Sequence, residues 1–389
     1  YHNFNLYTFE RLKEIRLGTK TEATSFSAPS GRRNYLLKGN CETFTPVKSA
    51  PFSREHWSLA ASAADFNGNG LQDIHVANDL HRDSLYLNQG KGRFKHKYLS
   101  NSTNRNGMSS RVLDVNQDGK NDLFVSNIYL REDDPVWKYN LLTSVGFYNP
   151  KGHNLLVNRG SATFDDRAKA IGVRKGGFGW AVTYDDFDND FDFELVQSKQ
   201  NFLNRSASLS FVRIKKFEVA NFVSDYARKA DLPQAVKNKN PLFRSFKEWM
   251  GYPAYWDKKG KSFERSDPFG NEIGRINARG VSPIDFDRDG DRDLVFSRFE
   301  KHPVLFEDTS ERDSDWLRIS VEKRWIGGEL TVVTGESQRR IPINLKTDFQ
   351  SQETPFYHLG LSSKVTVERV EMEWNDGTVV TREEVPTTS

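Results

Sequence analysis

Nine-residue acidic segments recur four times along the chain. They read Asp65-Phe-Asn-Gly-Asn-Gly-Leu-Gln-Asp73, Asp114-Val-Asn-Gln-Asp-Gly-Lys-Asn-Asp122, Asp186-Phe-Asp-Asn-Asp-Phe-Asp-Phe-Glu194 and Asp285-Phe-Asp-Arg-Asp-Gly-Asp-Arg-Asp293. Oxygen ligands held about 2.3–2.6 Å from the ion are what a hard cation takes. Positions 1, 3, 5 and 9 supply them from side chains: Asp65, Asn67, Asn69 and Asp73; Asp114, Asn116, Asp118 and Asp122; Asp186, Asp188, Asp190 and Glu194; Asp285, Asp287, Asp289 and Asp293. Position 7 (Leu71, Lys120, Asp192 and Asp291) adds a backbone carbonyl, and water can complete the shell. The expected ion is Ca2+, in up to four sites. An EF-hand would need Glu at position 12 and a helix on each side. Position 12 here is Val76, Val125, Gln197 or Phe296, each in a short apolar segment, so the loops are expected between strands.

The copies are unequal. The second and fourth are complete, whereas the first offers two amides, Asn67 and Asn69, in place of carboxylates. The third has Phe191 where the others have Gly. Gly there allows the sharp turn, and Phe in a left-handed conformation is costly, so a distorted third site is expected. The alternative is that all four are ordinary Asx-rich turns.

Each acidic loop runs into a strand such as Ile74-His-Val, Leu123-Phe-Val, Leu195-Val or Leu294-Val-Phe. A second element follows, in which an apolar strand and a polar turn lead to Phe: Asn34 to Phe44, Ser84 to Phe94, Asn154 to Phe164 and Pro241 to Phe263, with a shorter Pro303-Val-Leu-Phe306. Together they make one β-meander, and radial repetition of such a unit is a β-propeller. The loops begin at 65, 114, 186 and 285, at widening intervals, which implies insertions. Residues 129–150 and 213–265 are the expected ones, and Phe217 to Ala230 has helical spacing. After residue 310 strict alternation takes over in Trp316-Leu-Arg-Ile-Ser-Val, Glu329-Leu-Thr-Val-Val and Val365 to Trp374, with a hairpin signal at Asn375-Asp-Gly-Thr. The expected fold is all-β: a propeller with helical or loop insertions over residues 1–311, then a small β-sandwich-like domain over 312–389 whose last nine residues fray.

These residues resemble the FG-GAP/VCBS repeat family. The C-terminal segments Asp315-Trp-Leu-Arg, Gly327-Gly-Glu-Leu-Thr-Val, Asp348-Phe-Gln-Ser-Gln, Tyr357-His-Leu-Gly-Leu and Glu373-Trp-Asn-Asp-Gly-Thr resemble an ASPIC/UnbV domain. The combination, with Trp57 to Asp65, Gly107-Met-Ser-Ser and Gly179-Trp, is similar to bacterial relatives of cartilage acidic protein. That resemblance implies an extracytoplasmic, usually secreted, calcium-binding propeller, often of seven blades. It carries no assigned reaction, and adhesion or extracellular assembly is the expected role.

Composition limits the other classes. The 389 residues are 36% hydrophobic and 28% charged, enough for a core, and no apolar run reaches the length of a membrane span. Cys41 is the only cysteine, which excludes an intramolecular disulfide and a Cys-cluster metal site. Setting aside the thirteen acids at ligand positions, the formal net charge is +16 rather than +3. Anionic partners are weakly favoured on that ground, among glycan or protein ligands generally. A homo-oligomer or a larger assembly is also open.

Reactive constellations are sparse. Gly260-Lys-Ser lacks the first Gly of a P-loop, since Tyr255 stands there, and no His-Glu-x-x-His or Gly-x-Ser-x-Gly occurs. His75, His81 and His358 read as structural, Cys41 as a free thiol, and Asp133-Asp134 and Asp165-Asp166 as solvated pairs. Asn101 and Asn204 open glycosylation sequons. Trp137, Tyr139, Trp249, Tyr252, Tyr255 and Trp256 are aromatic anchors for a ligand or else core. The enzyme alternative is cyclisation or carbon–carbon bond formation on the same scaffold, a fold-level analogy.

Overall fold

In the computed structural model of the chain, strand pairing follows the repeat. The structure describes residues 34–40, 42–47, 52, 56–79, 81–99, 106–129, 151–199, 253–266, 268, 278–298, 301–310, 312, 314–335, 337–353, 356–362, 365–374 and 376–387. A hairpin of β1 (Leu37–Gly39) and β2 (Phe44–Pro46) precedes the first blade. That blade is β3 (Trp57–Ala64), β4 (Asp73–Asp79), β5 (Ser84–Asn88) and β6 (Phe94–Tyr98), antiparallel and in chain order. The second is β7 (Arg111–Leu113), β8 (Asp122–Val125), β9 (Asn154–Asn158) and β10 (Phe164–Asp166), followed by a four-residue helix α1 (Ala168–Ile171). The third is β11 (Gly179–Asp185), β12 (Glu194–Lys199), β13 (Ala254–Lys259) and β14 (Ser262–Ser266). The fourth has three strands, β15 (Ala278–Ile284), β16 (Asp293–Arg298) and β17 (Val304–Phe306). In every blade the acidic segment links the first strand to the second.

The fold is all-β and propeller-like, with four blade sheets among the described residues. The first strands β3, β7, β11 and β15 neighbour one another in that order, so they form the inner wall. Apolar side chains fill the spaces between blades. Phe66, Leu85, Leu123, Leu156 and Phe164 pack between the first and second, while Phe187, Val196, Tyr255, Val281 and Phe296 pack between the third and fourth. Part of the expected insertion at 213–265 is therefore blade. β13 and β14 complete the third sheet, and Tyr255 and Trp256 are 8% and 0% exposed, placed in cores rather than on a binding face. Their alternation was hidden by the aromatic-rich approach to the strand. The helical reading of Phe217 to Ala230 and the segment 130–150 lie outside the described residues, as do Cys41, Asn101, Asp133, Asp134, Trp137, Tyr139, Asn204, Trp249 and Tyr252.

The C-terminal strands make two sheets. β18 (Trp316–Ser320) pairs with β23 (Phe356–Gly360); β19 (Glu329–Thr334), β20 (Ser337–Pro342), β24 (Val367–Glu373) and β25 (Val379–Val385) form the sheet β20-β19-β24-β25. Of the last nine residues, expected to fray, those up to Val385 belong to β25, which pairs with β24. It is exposed on both faces, so it carries no alternation to read. This region shares one apolar core with the second and third blades, in which Leu113, Phe124, Tyr184 and Trp256 meet Leu317, Leu330, Val332 and Leu359.

A hairpin, β21 (Thr347–Asp348) and β22 (Ser351–Gln352), reaches from this region to the inner wall and touches β3, β11 and β15. Asp348 accepts hydrogen bonds from the N–H groups of Ser110 (3.3 Å) and Val182 (2.6 Å). Ser282 Oγ donates to the Gln352 carbonyl at 2.9 Å. A Cβ on Gly280 would stand 2.5 Å from the Gln350 carbonyl, so only glycine lets β15 approach the hairpin so closely. Polar groups of the inner wall are thus bonded to the hairpin.

Candidate metal centre

The four loops share one backbone plan. Position 6 has positive φ in all of them: Gly70 at 78°, Gly119 at 78°, Phe191 at 71° and Gly290 at 93°. Position 4 does too, at Gly68, Gln117, Asn189 and Arg288, a second left-handed residue that the sequence reading missed. The carboxylate at position 1 gathers the turn. Asp65 accepts from the N–H groups of Asn67, Gly68, Asn69 and Gly70 at 2.6–3.2 Å. Asp114 accepts from Asp118 and Gly119, and Asp186 from Asp190 and Phe191. The acid at position 9 accepts from position 2: Asp73 from Phe66, Asp122 from Val115, Glu194 from Phe187 and Asp293 from Phe286.

Position 9 also ties the loop to the next strand, a link that needs residues not singled out in the sequence. The Asn88, Asn158 and Asp308 N–H groups donate to Asp73, Asp122 and Asp293 at 2.7, 2.7 and 2.9 Å. Asn88 and Asn158 each accept from the glycine two residues on, Gly90 and Gly160, both at 2.9 Å. The recurring Asn-x-Gly after the second apolar strand was the available signal.

Residues 65–125 match the FG-GAP-like repeat family, and residues 321–389 match the ASPIC and UnbV family. The chain joins an FG-GAP-like repeat to an ASPIC/UnbV domain. No curated protein matches the sequence. An Agrocybe aegerita lectin, solved for its recognition of non-reducing terminal N-acetylglucosamine, is similar at 14% identity and a TM-score of 0.35, over 68% of this chain and 55% of its own. The V. cholerae biofilm matrix protein Bap1 is similar at 12% identity and a TM-score of 0.22, over 85% of this chain and 49% of its own. The chain thus spans about half the length of each, and at these scores neither bears on its function.

Among the described residues, three-acid groups with ligand atoms within 4.8 Å of one another occur in the third and fourth loops: Asp186, Asp188 and Glu194, and Asp285, Asp287 and Asp289. In the third, Asp186 and Glu194 are buried and Asp188 is half-buried; Asp188 Oδ1 and Glu194 Oε1 are enclosed without a hydrogen-bond partner, as is Asp285 Oδ1 in the fourth. Burial, reinforced by the neighbouring carboxylates, raises Asp186 and Glu194 well above the usual range and lifts Asp188 to about 6. Burial likewise lifts Asp73 to about 6 and Asp122 to about 7. These oxygen-only sets fit a hard cation, and the partnerless oxygens are the ones it would satisfy. In the second loop, Asp118 is paired with Lys120 at 2.9 Å.

Phe191 keeps the turn that glycine makes elsewhere, so the third loop retains the shared path. Its ring packs on the core shared with the ASPIC/UnbV domain and lies 5.4 Å from the Arg339 guanidinium. Asp192 is held by Lys258 at 2.5 Å and by Arg339. The repeat loops are in fact where the ASPIC/UnbV region docks. Gln117 accepts from the Arg340 N–H at 2.8 Å, Asp186 from the Gly360 N–H at 2.8 Å, and the Asn189 carbonyl from the Ser362 N–H at 3.0 Å. His358 meets Asn189 Oδ1 at 2.8 Å and stacks on Trp316. Burial holds His358 and His75 down at about 3, and His75 is bonded to Ser110 at 2.7 Å. Both are neutral structural groups. His81 lies 3.2 Å from the Asp79 carbonyl. Asp165 pairs with Arg159 and Asp166 with Arg174.

Proposed function

We propose that this chain is an extracytoplasmic Ca2+-binding protein that acts by binding, in adhesion or extracellular assembly, with calcium fixing the blade loops. The observation that carries this reading is the third loop, where buried Asp186 and Glu194 converge with half-buried Asp188 and two of the carboxylate oxygens lack any partner. A buried carboxylate left unpaired is expensive, and a calcium ion with six to eight oxygen ligands removes that cost. All twenty positions expected from the sequence belong to this proposal, with the backbone carbonyls of Leu71, Lys120, Asp192 and Asp291 completing the shells.

The hairpin of β21 and β22 lies against the inner wall, and the cavity beside Arg111, Tyr184 and Tyr357 holds ≈ 30 Å³, room for about one water. Glycans and proteins are the proposed partners. A second copy of the chain is another, because β25 is a sheet edge with Val379 and Val380 exposed. No helix among the described residues is long and apolar enough to cross a membrane.

The deciding experiment is a thermal melt with calcium and after chelation, paired with fractionation of the producing cells. A rise in Tm with calcium and recovery outside the cytoplasm support the reading. An unchanged Tm removes calcium from it.

A further inference from the structure

Position 5 of the first acidic loop carries an amide where the other three loops carry a carboxylate. Asn69 Oδ1 accepts from the Leu71 N–H at 3.0 Å. Asp118, Asp190 and Asp289 each accept from the N–H two residues on, at 3.0, 2.8 and 3.0 Å. All four side chains make the same contact, so a carboxylate at position 69 would fit the loop as it stands.

Asn69 and Gly70 are both exposed, and glycine has no Cβ to shield its backbone nitrogen. The Asn69–Leu71 bond closes an Asx turn whose ring contains that nitrogen, so the side chain is folded forward over it. Three contacts equip the Gly70 nitrogen to attack Asn69 Cγ. Its N–H donates to Asp65 Oδ2 at 2.6 Å, which gives the proton an acceptor. That bond lies in the peptide plane and leaves the face of the nitrogen open. The Leu71 N–H already sits on Oδ1, where negative charge develops as Cγ becomes tetrahedral. The group that must leave, Nδ2, donates to the Asn88 carbonyl at 3.1 Å.

We propose that Asn69 converts itself to aspartate through attack of the Gly70 nitrogen on its own side chain. The N–Cγ bond forms while Asp65 takes the Gly70 proton. The Cγ–Nδ2 bond then breaks, Asp65 returns the proton to the leaving nitrogen, and ammonia departs. Water hydrolyses the cyclic imide. Opening at Cγ restores the backbone and leaves a side-chain carboxylate; opening at the backbone carbonyl leaves an isoaspartyl link. In net terms amide and water give acid and ammonia, with no oxidant or cofactor. The first loop has two carboxylates among its four side-chain ligand positions and thereby gains a third. More ligand charge tightens calcium binding. That consequence rests on the calcium reading above, whereas the conversion does not. Calcium would engage Asp65, so the reaction belongs to the metal-free chain.

The chain carries two internal controls. Gly68 also donates to Asp65, at 2.7 Å, but the preceding Asn67 turns its amide towards Asp73 at 3.5 Å. Asn106 is buried, and the Gly107 N–H goes to the Asn78 carbonyl, which is no base. The test is peptide mapping by mass spectrometry of the freshly made full chain, held in chelator at neutral pH, folded and in urea, with released ammonia assayed in parallel. Asn69 should gain the amide-to-acid mass faster folded than in urea, and ahead of Asn67. Asn106 should convert faster in urea. Asp65→Asn should slow the folded rate at Asn69 about a hundredfold, a usual share for a positioned base. Asn69→Asp should bind calcium more tightly than the fresh chain. Slower conversion of Asn69 folded than in urea overturns the proposal, whatever the variant does to folding. So does a folded Asp65→Asn chain that converts at the rate of the unsubstituted one. Equal calcium affinity of Asn69→Asp and the fresh chain overturns the metal consequence. A melt indifferent to calcium removes the calcium reading itself, and the mapping still decides the conversion.

Discussion

Arg111 and Glu353, 242 residues apart in sequence, form a bidentate ion pair at 2.7 and 2.9 Å with side chains 5% and 4% exposed. Arg111 stands on the inner strand of the second blade, and Glu353 follows the plugging hairpin. Thr183 donates to Glu353 at 2.8 Å, and Lys346 Nζ lies 3.8 Å from it. Removing one member leaves a buried charge uncompensated, whereas replacing both with apolar groups need not destabilise. Glu353→Ala should therefore lower stability by about 3–5 kcal/mol. Arg111→Met combined with Glu353→Leu should recover most of that loss. Urea unfolding of the two variants checks the prediction, and equal losses in both would refute it.

Calcium should raise the melting temperature. Each site that binds only the folded chain contributes about 2.7 kcal/mol at a hundredfold excess of ion over Kd. Asp188→Asn with Glu194→Gln should remove one such increment while leaving the rest of the shift. Differential scanning calorimetry at fixed free calcium measures both effects.

That calcium effect should grow with pH. In the metal-free fold Asp73 and Asp188 titrate at about 6 and Asp122 at about 7, all raised chiefly by burial. The folded chain then holds protons that the unfolded chain has already lost, so metal-free stability falls as pH rises from about 4 to about 7. Calcium needs the carboxylates ionised and displaces those protons. The Tm difference with and without calcium should be small at pH 5 and large at pH 7.5. A difference independent of pH would mean that these acids do not face the ion.

Gly360 couples the third loop to the C-terminal region. Its N–H holds Asp186, and a Cβ there would stand 2.1 Å from Asn189 Cα. Gly360→Ala should destabilise the chain by about 1–3 kcal/mol, the usual cost of overpacking. It should also weaken calcium binding, because Asp186 loses its donor. Calcium titration of the variant reads the second effect, which simple overpacking far from the loop would leave unchanged.

The loops were legible because their chemistry is local. Asp65 to Asp73 or Asp285 to Asp293 carries its own carboxylates and turn residues within nine positions. The blade strands and the alternating C-terminal strands were legible for the same reason. What escaped was long-range. Nothing near Asp348 or Lys346 announces that a short hairpin will lie against β3, β11 and β15. Nor does the sequence around Phe191 reveal that Arg339 and the shared core will accommodate its left-handed backbone. Tyr255 and Trp256 had the look of exposed anchors until β13 paired with β12.

The hairpin also dictates the order of events during synthesis. The blades are made first, yet their inner wall carries Arg111 and the buried Arg292–Asp185 pair, and its last partners arrive only with residues 346–353. Until the ribosome has released that stretch, the wall stays wet and the blades lack their keystone. Contacts of such long sequence separation are slow to form, so the inner wall closes only after residues 346–353 have joined it.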